Sequence, residues 1–293
     1  MTAIASCPAR QLISEAVVTL RAAGIENPRL DAEVMLAAAA HISRAAVVAG
    51  LGEVDGLVRA RYTAMVSRRA QREPLAYVLG CKEFYSLELE VTPAVLIPRP
   101  ETETVVSTAL EFIAAHRTAR VLDIGTGSGA IALAIAANAP FSQVTATDIS
   151  ADALAIARRN ATRLNLGART EFRQADGFEL MDCRGKLGRF GLVVSNPPYI
   201  KDAEIAGLAP EISSYEPRAA LSGGRDGLDF YRRIAPALPA HLESNGAVIF
   251  EIGASQSAVV ADILRKAGAE TVSVIADMAV LPRVVVAHFR RTN

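Results

Sequence analysis

The sequence predicts an α/β protein: an open, mostly parallel sheet with helices on both faces, preceded by a small all-helical domain and a connecting β-hairpin. Three observations carry this expectation. At 293 residues the chain exceeds the roughly 100–200 residues of a single core, so two domains are expected. The first 73 or so residues show apolar spacing of helical period alone. From Arg120 onward, short apolar runs alternate with helical ones, the order of a doubly wound sheet.

The elements follow in chain order. Ile13, Ala16, Val17 and Leu20 repeat at helical spacing, and Gly24 closes that segment. Asp31 to Ala40 and Glu53 to Ala70 carry similar patterns, separated by Gly50 and Gly52. Pro74 starts a different texture. Gly80, Pro93, Pro98 and Pro100 punctuate it, and apolar and polar residues alternate from Phe84 through Leu87, Leu89 and Val91, which predicts a hairpin. Glu101 opens a helix towards Ala115. Val121 to Ile124 reads as a buried strand, followed by a glycine-rich turn and the apolar helix Ala130 to Ala137. Val144 to Thr147 is a second strand. A helix from Ala151 to Leu164 follows, with Ser150 as its N-cap. Leu192 to Ser195, Ala247 to Ile252 and Val284 to Phe289 are further strands, with a helix at Ser255 to Ala267. The expected domains are 1–73, helical; 74–100, the hairpin linker; and 101–293, the α/β domain.

Composition excludes several function classes. Lys plus Arg is 31 and Asp plus Glu is 31, so the chain is neutral, without the basic excess of a protein that lives by attraction to nucleic acid or anionic lipid. Residues 1–73 hold nine Arg against seven acids, so that part is +2 and the remainder −2. Cys7, Cys81 and Cys183 are odd in number and widely spaced, and the four histidines are scattered, so neither a disulfide framework nor a metal site is expected. The first ten residues lack a basic stretch followed by an apolar one, and apolar runs such as Val34 to Ala40 are far short of the ~20 residues of a membrane span. A cytoplasmic, monomeric protein without membrane contact is expected.

Two constellations carry chemistry. Between a strand and a helix lies Gly125-Thr126-Gly127-Ser128-Gly129, whose glycines allow a tight turn and close backbone approach to a ligand. Asp148 ends the following strand, where an acid accepts hydrogen bonds from ribose hydroxyls. The spacing is not that of the dinucleotide fingerprint, because residue 130 is alanine. It resembles the first motif of Rossmann-like S-adenosylmethionine-dependent methyltransferases.

The second constellation, Asn196-Pro197-Pro198-Tyr199, follows the apolar strand Leu192 to Val194, at the strand end where open α/β sheets bind ligands. Prolines hold the backbone and cannot donate, which leaves the Pro197 carbonyl as an acceptor beside the Asn196 side-chain oxygen. Two fixed acceptors suit a planar –NH2 group, an amide or an exocyclic base amine. An amide nitrogen is a poor nucleophile because its lone pair is delocalised. Gripping both N–H groups orients it, and a cationic methyl donor then needs orientation and electrostatics more than a strong base. Tyr199 offers a flat face to the target group.

Over nearly its full length the chain resembles the release factor glutamine methyltransferase family. The matching segments are Pro74 to Gly80, Phe84-Tyr85, Val95-Leu96-Ile97-Pro98-Arg99-Pro100-Glu101-Thr102-Glu103, Asn196 to Ile200, Glu216 to Leu221 with Gly223-Gly224 and Asp226-Gly227-Leu228, and Phe250-Glu251-Ile252-Gly253 with Gln256. The resemblance implies a methyltransferase sheet with an antiparallel final strand, S-adenosylmethionine as cofactor and no metal. Gly125, Thr126, Gly127, Ser128, Gly129 and Asp148 would hold the methionine and ribose, and Asp176, Gly177 and Phe178 would lie by the adenine. Asn196, Pro197, Pro198 and Tyr199, with Arg99 and Glu101 nearby, would hold the glutamine of the Gly-Gly-Gln loop of a release factor, and the N-terminal helices would dock that protein.

Alternatives remain at this level. DNA adenine methyltransferases carry a similar Asn-Pro-Pro-Tyr motif but need a basic duplex-binding surface, and the only close basic pairs here are short ones such as Arg68-Arg69. A glutamine methyltransferase of a ribosomal protein shares the motif; the Ile97–Glu103 segment favours the release factor branch. A non-catalytic module has no reason to keep the glycines, Asp148 and Asn196 together. A hydride-transferring dehydrogenase fits neither the glycine spacing nor the Asn-Pro-Pro-Tyr turn.

Overall fold

The structure, a computed structural model, describes residues 7–50, 52–177 and 188–290. The chain divides into two units: the described residues up to Gly80 together with Ala209–Tyr215, and Cys81–Leu208 together with the residues from Glu216 onward. No single helix among the described residues is long and apolar enough to cross a membrane.

The first unit is helical, as the periodicity requires. Ala9–Ala22, Pro28–Ala40, Arg44–Gly50 and Gly56–Ala70 are its longer helices. Leu12, Ala16 and Leu20 line one face of the first, and with Met35, Leu36 and Tyr62 they form the core. Glu53–Val54 is not helical but pairs with Cys7–Pro8. The helix begins after it because Asp55 caps it, its carboxylate accepting from the Leu57 and Val58 N–H groups at 2.8 and 2.9 Å. Pro74 introduces a helical turn, Leu75–Leu79, which stops at Gly80 in the left-handed region (φ 78°). The segment Ala209–Tyr215 joins this unit through the carboxylate of Glu211, which takes Arg72 at 2.8 and 2.7 Å and Arg69 at 3.0 Å.

The second unit opens with the expected hairpin, Cys81–Phe84 against Leu87–Glu90. Its sheet has seven strands: β1 Arg120–Ile124, β2 Gln143–Asp148, β3 Thr170–Gln174, β4 Phe190–Ser195, β5 Leu242–Glu251, β6 Thr271–Ala276 and β7 Pro282–His288. The order is β6-β7-β5-β4-β1-β2-β3, and only β7 runs antiparallel to its neighbours. This is the fold class the sequence implies, antiparallel final strand included. Successive residues of the central strands face opposite cores. Val121, Leu192, Val194 and Ile249 pack with helices Glu103–His116 and Ala130–Asn138. Leu122, Ile124, Val193 and Phe250 pack with Tyr231, Ile234, Val260 and Leu264. Burial on both faces explains why these strands read as unbroken apolar runs.

Two strands were not legible in the sequence, β3 and β6, and they are the two edges of the sheet. β3 reads Thr-Glu-Phe-Arg-Gln, and the apolar residues of β6, Thr-Val-Ser-Val-Ile-Ala, are exposed or half-buried, so neither is the buried apolar run of a central strand, as suits the edges of a sheet.

Candidate active site

β1 and β4 are neighbours in parallel register, Asp123 opposite Val194, so the glycine-rich loop and the Asn-Pro-Pro-Tyr loop leave the sheet side by side at its carboxyl edge. The Ser195 hydroxyl ties the two strand ends together by donating to the Ile124 carbonyl at 2.6 Å.

The glycine-rich loop is folded over the end of β2. The Gly125 and Thr126 N–H groups both donate to the Thr147 carbonyl, at 2.8 and 2.9 Å. Gly125 and Gly127 hold φ of 73° and 56°, and a Cβ at either would meet nothing within 4 Å, so both border open space. Gly129 differs: a Cβ there would lie 3.0 Å from Leu133 and 3.3 Å from Ala157, so this glycine serves close packing of the loop against two helices. Thr126 and Ser128 are buried. The Thr126 hydroxyl donates to Asp123 at 2.6 Å, and the Ser128 carbonyl accepts from Asn160 at 2.9 Å. Asp148 shapes the loop with both oxygens, accepting from the Gly127 N–H and the Ser150 N–H at 2.9 Å each. Ser150 caps its helix as expected, its hydroxyl accepting from the Ala153 N–H at 3.1 Å.

A buried and a half-buried carboxyl underlie this half of the site. Burial pushes the Asp123 carboxyl up to about 7, Asp148 adds to the rise, and the Thr126 hydroxyl opposes it. Asp123 Oδ1 is buried without a hydrogen-bond partner. Asp148 is also raised by burial, against the pull of the Ser150 and Gly127 N–H groups. A carboxylate has about four lone-pair sites, so Asp148 can accept further bonds from a ligand. An unsatisfied buried acid, a second carboxylate beside it and two glycines bordering open space fit a cationic, hydroxyl-bearing cofactor such as S-adenosylmethionine. Ile149, directly after Asp148, is 62% exposed, an apolar face next to the acid that sequence reasoning passed over. Asp176 lies 3.5 Å from Arg233. Gly177 packs against β1, where a Cβ would come within 2.7 Å of Ile124. Phe178 lies outside the described residues.

The second loop is held from three sides. The Asn196 side-chain NH2 donates to the Thr102 hydroxyl at 3.0 Å; among the described residues nothing donates to Asn196 Oδ1 or to the Pro197 carbonyl. The Tyr199 hydroxyl donates to Glu251 Oε1 at 3.2 Å, while Gln256 donates to the Tyr199 and Gly227 carbonyls at 3.0 and 3.1 Å. Gly223 packs against the same loop, and a Cβ on it would come within 2.8 Å of the Pro198 carbonyl oxygen and the Tyr199 Cα. Burial and the Glu251 charge raise the Tyr199 phenol well above its ordinary value, so it stays a donor. Arg99 pairs with the buried Glu216 carboxylate, which also accepts from the Ile97 N–H at 3.4 Å. Glu101 is exposed in the short turn Pro100–Thr102.

The structure thus brings the two loops to one edge. It also adds residues the sequence did not single out for a role. Asn160 donates to the carbonyls of Glu90 and Ser128 and accepts from the Glu90 N–H; a polar residue on the apolar stripe of its helix was the available signal. Glu251 is buried at the end of an apolar strand, a comparable signal. Thr102 lies in the family-matching segment Val95 to Glu103, but nothing there distinguishes it from its neighbours.

Comparison with known proteins agrees with this geometry. Residues 11–80 match the family model of the PrmC N-terminal domain, and residues 105–215 match the methyltransferase small domain. The release factor glutamine methyltransferase of Geobacter sulfurreducens is 44% identical over 246 residues, 84% of each chain. That of Moorella thermoacetica is 44% identical over 261 residues, 89% of this chain and 90% of that one. Among solved structures, the catalytic domain of hMettl16 in complex with a MAT2A 3'UTR hairpin shares the fold. Its TM-score is 0.57 at 17% identity, covering 80% of this chain and 82% of that one.

Proposed function

The chain belongs to the release factor glutamine methyltransferase family, and on that premise we propose how its residues carry out the transfer of a methyl group to the side-chain amide of a release factor glutamine. The observation that supports the assignment of roles is the state of Asn196. Its NH2 is engaged by Thr102, so the group it presents is an acceptor, as is the adjacent Pro197 carbonyl.

Two acceptors on a proline-stiffened turn grip the two N–H bonds of the target amide and hold its nitrogen in one orientation. Tyr199 supplies a face for the planar amide. Bound S-adenosylmethionine supplies a methyl group activated by the positive sulfur. Gly125 and Gly127 give its methionine part room to approach the backbone, Asp148 accepts from its ribose hydroxyls, and the buried Asp123 holds the loop from beneath through the Thr126 hydroxyl. Asp176 and Gly177, with the apolar face of Ile149, border the adenine. Arg99 and Glu101 stand at the entrance of the substrate side, and the N-terminal helices dock the release factor. The amide nitrogen loses one proton for the methyl group it gains. That proton becomes strongly acidic once the nitrogen is alkylated and passes to water, so the loop needs no general base before attack. Orientation with charge complementarity provides the acceleration.

The test uses labelled cofactor with an intact release factor and with its Gly-Gly-Gln glutamine changed to alanine. Label in the intact factor alone is expected, and equal labelling of both would refute the target. Asn196→Ala should keep cofactor affinity and lose most turnover; unchanged turnover would refute the gripping role.

A further inference from the structure

The block Phe250 to Gly253 is left without a task by the roles above, yet it places a carboxylate under the substrate loop. Glu251 is 1% exposed and ends β5. It takes the Tyr199 hydroxyl on Oε1, which leaves Oε2 as the buried oxygen open to a further donor. The Thr102 hydroxyl, itself buried, accepts from Asn196 and lies against this same carboxylate.

We propose that Glu251 is a positioning residue for the transfer: through Thr102 it sets the polarity of the Asn196 carboxamide, and through the Tyr199 hydroxyl it anchors the same loop. This rests on the role assigned to Asn196 above. A hydroxyl has one proton to give. While Glu251 is ionised, that proton goes to the carboxylate, so the Thr102 oxygen can only accept, and it accepts from the Asn196 NH2. Oδ1 is then turned to the substrate amide. When Glu251 is protonated, or replaced by glutamine, it donates to Thr102, and the Thr102 proton is free to meet an acceptor. The carboxamide is then stable in the opposite sense, presenting NH2 to NH2, and the grip is lost.

The surroundings make this polarity sensitive to pH. Burial pushes Glu251 up to about 7, opposed by Thr102, Arg283 and Tyr199 and assisted by the charge of Glu101. Arg283 comes from β7 and is itself held by Asp277 at 3.0 Å. Tyr231, from helix Asp229–Ile234, faces the group as well, its hydroxyl donating to the Glu251 main-chain carbonyl at 2.7 Å. The ionised form is needed, so kcat should fall as pH drops below about 7.

The experiment measures kcat, KM for the release factor, cofactor affinity and the pH profile for wild type, Glu251→Gln, Thr102→Val and Thr102→Ser. Glu251→Gln and Thr102→Val should each lower kcat by about tenfold or more, the scale of a misoriented reacting group, with KM and cofactor affinity within about twofold. The Gln variant should also lose the acid limb of its profile. Thr102→Ser, which keeps the hydroxyl, should restore most of the rate. Unchanged kcat in Thr102→Val, an acid limb retained in Glu251→Gln, or a serine variant as slow as the valine one would overturn the proposal. The threonine pair carries the test if Glu251→Gln does not fold. A wild-type enzyme that leaves the release factor glutamine unlabelled would instead overturn the reaction itself, a result the variants cannot imitate.

Discussion

Replacing Asp148 by asparagine changes one atom of shape and should still cripple cofactor binding. Each carboxylate oxygen of Asp148 accepts a different backbone N–H, Gly127 on Oδ2 and Ser150 on Oδ1, both at 2.9 Å. An asparagine has one acceptor oxygen and one donor NH2. Whichever way it turns, one of the two N–H groups faces a donor. A hydrogen bond to a charged acceptor contributes about 1.5–3 kcal/mol. Gly127 sits at positive φ and borders open space, so it is the residue free to move, and the loss falls on the loop that receives the cofactor. At about 1.4 kcal/mol per tenfold, affinity for S-adenosylmethionine or S-adenosylhomocysteine should drop about 10- to 100-fold. Titration calorimetry at pH 7.5 reads this directly, with thermal unfolding of the ligand-free variant as a check on folding. An asparagine variant that binds within twofold of wild type would refute the argument that Asp148 organises the loop as a double acceptor.

Two further outcomes test the framework around the site. Asn160→Ala strips partners from the Glu90 N–H and from the Glu90 and Ser128 carbonyls, and should cost about 3 kcal/mol in urea unfolding; a loss under about 1 kcal/mol would show that water replaces these bonds freely. In the helical unit, burial raises Glu211, but Arg72 and Arg69 outweigh it and bring the carboxyl from 4.5 down to about 2. A depressed folded value means stability that is present above 4.5 and lost as pH falls through 2, so Glu211→Gln should destabilise by about 2 kcal/mol at pH 7. The difference should narrow steadily between pH 4.5 and 2, and a pH-independent difference would refute the ion-pair account.

The parts of this molecule that the sequence reveals are those whose chemistry is local. A glycine-rich turn between strand and helix, and an asparagine before two prolines at a strand end, announce themselves because backbone freedom and backbone restraint are written in single residues. The central strands are legible because both their faces are buried. What escapes is of two kinds. β3 and β6 hide because an edge strand has no continuous apolar face to betray it. Thr102, Asn160 and Glu251 hide because their partners lie far along the chain; Thr102 meets Asn196 across 94 positions, and no spacing rule reaches that distance. Gly129 shows a subtler limit. It belongs to the glycine motif, but the space its missing Cβ leaves is taken by Leu133 and Ala157, so motif membership alone does not say what each glycine is for.

The neutral charge, too, acquires a structural meaning. A surface that binds nucleic acid keeps its guanidinium groups available to phosphate. Here five arginines of the helical unit are tied to carboxylates of the same unit, although only Arg69 is buried. Arg69, from the most conspicuous basic pair in the sequence, has a side chain only 9% exposed and holds both Asp31 and Glu211. Its neighbour Arg68 grips Glu73 through Nη2 at 2.5 Å. Arg29 and Arg44 converge on one buried carboxylate, that of Glu33, which they hold below its ordinary value despite burial. Arginine suits this work because its planar fork binds a carboxylate with two parallel donors. Pairing of this kind holds the helices in register and offsets part of their charge. On the docking proposed above, such a face discriminates by fit and by individual contacts, as recognition of one loop on a folded protein demands and capture of a polyanion does not.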